Sequence, residues 1–124
     1  MISNKEINIA KHKFDIQNKS QSFNDRVKIC YQWIDAQKPL KSEGIDIFGL
    51  KGYIENWAGY YIQPIHIKIA IQLHPEIKQI NQSYNISPRL IEPSINRLNS
   101  ISNAFSHCYR SLHNPNLYSK KEIC

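Results

Sequence analysis

YIQPIHIKIAIQLHPEI, residues 61–77, satisfies two periodicities at once, and the choice between them decides the fold. Between Pro64 and Pro75 the apolar residues Ile65, Ile67, Ile69, Ile71 and Leu73 fall on alternate positions, as in a half-buried strand rich in β-branched side chains. On a helical wheel the same residues leave only Lys68 and Gln72 as a narrow polar strip, the pattern of a mostly buried helix. Pro64 suits the first position of either element, and Pro75 ends either. A strand needs a partner, and the nearby candidate is the short IDIF at 45–48. The segments on both sides read as helices, so context favours the helix.

Upstream, Ser22 with Asp25 three residues later resembles a capping box. Phe23, Val27, Cys30, Tyr31 and Ile34 then follow at three- and four-residue steps, one apolar stripe that stops before Pro39. Trp33 lies beside it, at the edge of the core, with an N–H that needs a partner. The run from Pro39 through Gly44 to Gly49 reads as a connector. Leu50, Ile54, Trp57 and Tyr61 return to helical spacing, with Gly59 placed as a C-terminal cap. Downstream of Pro75, EIKQINQ reads as a turn or short helix and SYN as a turn. Ser87-Pro88 then has the form of a helix start, and Pro93-Ser94 that of a second start or a kink. Ile91, Ile95, Leu98, Ile101 or Ser102, Phe105, Cys108 or Tyr109, and Leu112 form a long apolar stripe.

The expected fold is therefore mainly α, a single small domain of four or five helices. The alternative is α+β, with a short sheet using 45–48 and 65–73. The expected boundaries are a flexible N-terminal arm at 1–20, helical when docked, a helical domain at 21–113 and a flexible tail at 114–124.

The chain has 124 residues, 41% hydrophobic and 21% charged, enough for a real core and unlike a disordered segment. The N-terminus lacks the continuous apolar segment of a leader, so a cytoplasmic location is expected. Cys30, Cys108 and Cys124 are widely spaced and form neither a disulfide framework nor a paired zinc motif. The net charge is +6. Through Lys41, eight bases face four acids. From Ser42 to Ile80, three bases face four acids. From Asn81 onward, five bases face two acids. The basic ends favour polyanions.

The strongest functional pattern lies opposite the long apolar stripe: Arg89, Asn96, Asn99, Asn103 and Arg110, with Arg97 beside them. Arg and Asn are the side chains that read guanine and adenine edges from a helix in the major groove. With residues 65–77 before it, the segment loosely resembles a helix-turn-helix. Its turn is too long, however, and Pro93 interrupts the reading helix. A solvated face in an Asn-rich chain is the plainer explanation.

His107, Cys108 and His113 suggest a metal, with His74 approaching in space, but the six-residue gap puts the two histidines on different helix faces. Cys108 with His74 or His113 would form a nucleophile pair only through the fold. No phosphate loop or clustered carboxylates accompany them, so neither catalysis, metal nor cofactor is expected. In WAGYY, residues 57–61, Trp57 and Tyr61 read as core and Tyr60 as exposed. Aromatics beside lysine stack on single-stranded bases or anchor a protein partner.

Two functions emerge. One is a basic, non-catalytic nucleic-acid-binding or regulatory protein, taking DNA or RNA on the Arg89–Arg110 face. The other is a protein-interaction module, such as an adaptor, inhibitor or assembly subunit. It would use apolar surface within 53–73 and Tyr60 for a partner or a homodimer seam.

Overall fold

Within residues 61–77 the helix prevails over the strand, spanning Pro64–Leu73. The computed structural model describes residues 2–17, 20–46 and 49–122. Among these are four α-helices: α1 (Asn4–Lys13), α2 (Gln21–Asp35), α3 (Leu50–Ala58) and α4 (Pro64–Leu73). Pro64 opens α4, where a missing N–H costs nothing. The Gln63 N–H donates to His66 Nδ1 at 3.0 Å, which satisfies a donor at the helix start. His74, forced toward extended backbone by the following Pro75, ends it at φ −76°, ψ 135°. Ile67, Ile69, Ala70 and Ile71 are buried, whereas Lys68 and Gln72 are exposed, the strip that the wheel predicts.

The central element is α2. Its N-cap is Ser20, two residues before the expected Ser22, because the Ser20 Oγ accepts the Phe23 N–H at 3.2 Å. Val27, Ile29, Cys30, Trp33 and Ile34 are all fully buried, so α2 is covered on more than one face. It packs against α4, α3 and α1. The Trp33 indole N–H donates to the Tyr118 hydroxyl at 3.0 Å. The N-terminal segment contributes Ile2, Ile7 and Ala10 to the core, with α1 lying along α4. Its first turn is closed by a capping box between Ser3 and Glu6.

The connector at 38–46 satisfies its backbone against 83–87. Leu40 N–H donates to Asn85, Gly44 N–H to Tyr84 and Ile45 N–H to Ile86. A Cβ on Gly44 would land on the Ile86 carbonyl, so only glycine allows this approach. The expected strand at 45–48 is thus partly seen: Asp46 bridges Ser83, not α4, while 47 and 48 lie outside the described residues. Instead of turns, 79–84 forms a hairpin of β1 (Gln79–Ile80) and β2 (Ser83–Tyr84), with Asn81 in left-handed backbone at φ 55°. Buried Asn85 fastens these loops. Its amide donates to the Leu40 and Glu76 carbonyls, and its Oδ1 accepts the Lys78 N–H.

The long helix expected after Ser87 does not form. The chain makes β3 (Ile91–Glu92), a 3₁₀ turn at Ile95–Leu98, irregular turns and a 3₁₀ turn at Cys108–Leu112. Proline at 93 removes a donor, and Ser94 Oγ instead accepts the Asn96 N–H at 3.2 Å. The following Asn/Ser-rich run offers side chains that compete for backbone hydrogen bonds. Leu98 and Ile101 reach the core, but Ile95, Phe105 and Leu112 face solvent.

The C-terminal segment is docked through residue 122. β4 (Lys120–Lys121) pairs in parallel with β3, and the Gln37 amide holds both backbone groups of Ile91. Arg97 joins the Asp35 carboxylate at 3.1 Å and Glu122 at 2.5 Å. Cys30 is buried, its thiol pushed up by burial and by Glu55, as suits a core residue; Cys124 lies outside the described residues. No described helix is long and apolar enough to cross a membrane.

Candidate nucleic-acid interface

The C-terminus of α3 builds the candidate site. A helix end leaves carbonyls without intrahelical partners, and here residues 105–110 supply the donors. Arg110 Nη1 donates to the Trp57 carbonyl at 2.6 Å, Phe105 N–H to Ala58 at 2.7 Å and His107 N–H to Gly59 at 2.9 Å. A cation at this end also complements the helix dipole. Gly59 is left-handed at φ 61°, the cap that its position in the sequence predicts. A Cβ there would come within 3.0 Å of Phe105 Cα, so glycine also permits the docking.

This docking brings aromatic groups from two distant segments together. The His107 ring stacks on Tyr60 at 4.3 Å, and its Nδ1 accepts the Tyr61 N–H at 2.9 Å. That bond places the ring proton on Nε2. Tyr109 stands 6.1 Å from His107 and 6.2 Å from Tyr61. Cations border the group: the Arg26 guanidinium lies 4.6 Å over Tyr60, and Lys51 Nζ lies 4.8 Å over Tyr61. Arg26 also donates to the Tyr61 carbonyl at 2.8 Å. Buried Glu55 ties the turn to α3, accepting from Ile62 N–H at 3.0 Å and Lys51 at 2.9 Å. His107 is exposed and Tyr61 and Tyr109 are half-buried, so these three rings form the outer face.

The residues expected to read bases are not gathered on one helix. Arg89, Asn96 and Asn99 are exposed. Arg97 is committed to Asp35, Glu122 and Gln32; Asn103 donates to Asp25 at 2.7 Å; Arg110 caps α3. Without an α-helix over 87–112, these side chains have no common stripe to present to a groove. Tyr60, expected to be exposed, is buried under His107 and Arg26. Its neighbours Ile54, Trp57, Ile62 and Ile69 are core, which removes most of 53–73 as partner surface.

The histidines are engaged separately. His74 Nδ1 accepts the Glu76 and Ile77 N–H groups, while its Nε2 meets Asp35 at 2.9 Å, leaving no free ring nitrogen to activate Cys108. His113 faces Glu92 at 3.4 Å. Burial, reinforced by Arg110, lowers its pKa and favours the neutral ring. Among the described residues, no three His, Cys, Asp or Glu side chains stand together as a metal site.

Sequence reasoning singled out WAGYY but missed its partners His107 and Tyr109. The visible signal was the second aromatic and cationic cluster, HCYR at 107–110; its juxtaposition with 57–61 comes only from the cap on α3. No protein-family model, curated protein or solved structure matches the chain.

Proposed function

We propose that this chain is a small, non-catalytic nucleic-acid-binding protein that takes single strands on the Tyr61–His107–Tyr109 face. The observation that carries this reading is the joining of three accessible rings with the bordering cations Arg26 and Lys51. Base–aromatic stacking contributes about 1–3 kcal/mol per base and tolerates any sequence, while cations hold the phosphates. The net charge of +6 supports the same partner. A duplex keeps its bases stacked within the helix, so single-stranded DNA or RNA suits these rings better. A regulatory role in the cytoplasm belongs to the same proposal.

Fluorescence anisotropy with a labelled oligothymidine, a single-stranded RNA and a mixed duplex tests it. Single strands should bind about tenfold or more tightly than duplex, with affinity falling as salt rises. A preference for duplex, or no binding at low salt, would overturn the proposal. A second reading rests on the exposed apolar side chains Ile95, Phe105, Leu112 and Leu117 of the C-terminal segment. They favour a protein partner, the direction to follow if no nucleic acid binds.

A further inference from the structure

The polar strip of α4 does not simply face open solvent. Lys68 and Gln72 line a cleft of about 420 Å³ together with Lys78 and Gln79 at the start of the hairpin. The floor is apolar: Ile71 from α4, Phe14 from the end of α1 and Tyr84 from β2. Ile71 and Tyr84 are buried and Phe14 packs against the core, so the floor is fixed by the fold. Lys78 Nζ donates to the His74 carbonyl at 2.8 Å, which anchors the ammonium and leaves two of its three protons for a ligand. Lys68 makes no ion pair with any described residue.

Organic ligands of modest size occupy clefts of about 300–1,000 Å³ that combine an apolar lining with a few placed polar groups. Here both charged groups are cations, and the floor offers aromatic and aliphatic surface. We propose that this cleft binds a small aromatic anion, its ring on Phe14, Ile71 and Tyr84 and its carboxylate or phosphate between Lys68 and Lys78. This site does not depend on the rings beyond α3 and stands or falls separately from them.

The probes are 2-naphthoate, adenosine 5′-monophosphate and the uncharged 2-naphthalenemethanol, each titrated into the ¹⁵N-labelled full chain and followed by amide shifts. Saturable shifts confined to Phe14, Ile71, Gln72, Gln79 and Tyr84 are expected with at least one anion; the tighter of the two identifies a carboxylate or a phosphate head. The alcohol should bind about tenfold more weakly, and Lys68→Glu should weaken the anion by a similar factor. Lys68 is exposed, and the same spectra report whether the variant is folded. Lys68→Gln, which keeps a polar chain without charge, is the second variant and should also weaken the anion. Equal binding of the alcohol, unchanged affinity in a folded Lys68 variant, or no cleft shifts with either anion would overturn the proposal. Shifts at His107 and Tyr109 alone, with both anions, would likewise count against the cleft while supporting the stacking face.

Discussion

Replacing Trp57 by alanine is expected to destabilise the protein by about 3–5 kcal/mol, measured as the change in free energy of urea unfolding. The indole is 1% exposed, so its removal deletes a large buried apolar surface and leaves a cavity that neighbouring helices only partly fill. The substitution also removes the donor to the Pro93 carbonyl, now bonded at 3.1 Å, and Pro93 is itself buried. A buried acceptor left unpaired adds its own penalty. The 87–112 segment has no α-helix to support it, so the Trp57–Pro93 bond is one of its main fastenings to α3. A loss below about 1 kcal/mol would show that Trp57 is not the core anchor described here.

The second large effect is a dependence on pH centred on His66. Burial, followed by the nearby positive charges of Arg26 and Lys11, lowers its pKa from 6.5 to about 4. The ring is held edge-on against Phe23 at 4.6 Å between centroids. As pH falls from 6.5 toward 4, the unfolded chain takes up a proton before the folded one. The unfolded state then binds more protons, so stability declines across that window and levels off below it. The full span corresponds to about 3 kcal/mol. His113, also shifted down by burial, acts in the same direction. Urea midpoints at pH 7 and pH 4.5 should differ in the wild type, with a smaller difference in His66→Gln. A profile that is flat over this range, or unchanged by the substitution, would contradict the burial of a neutral imidazole.

Much of the helical core is legible because local chemistry and tertiary context agree. Pro64 and Pro75 bracket α4, and the Lys68–Gln72 strip survives intact at the surface. Gly59 ends α3 as its spacing predicts. The same method fails after Ser87, where the apolar spacing is just as helical. There the outcome depends on Pro93 and on Asn and Ser side chains that bond locally. The interruption at Pro93 is visible in the sequence, but the local side-chain bonds are not. The exposure of Tyr60 is unreadable for another reason: its cover comes from Arg26 on α2 and from His107, far along the chain in the segment docked on the end of α3. Similarly, Arg97 reads as a free cation until Asp35 and Glu122 close on it. Charges and rings are visible in a sequence; which of them neutralise or bury one another is a property of the fold.

The most direct measurement of the central claim is the affinity of Tyr109→Ala for labelled oligothymidine, relative to the wild type at the same salt. Tyr109 is half-buried at the outer edge of the ring cluster, and none of its side-chain groups caps α3. The variant should keep the wild-type free energy of urea unfolding to within about 1 kcal/mol while losing about five- to one-hundredfold in affinity, the loss expected for one base stack. A folded Tyr109→Ala protein that binds the strand as tightly as the wild type would contradict the account and place any nucleic-acid contact elsewhere on the molecule.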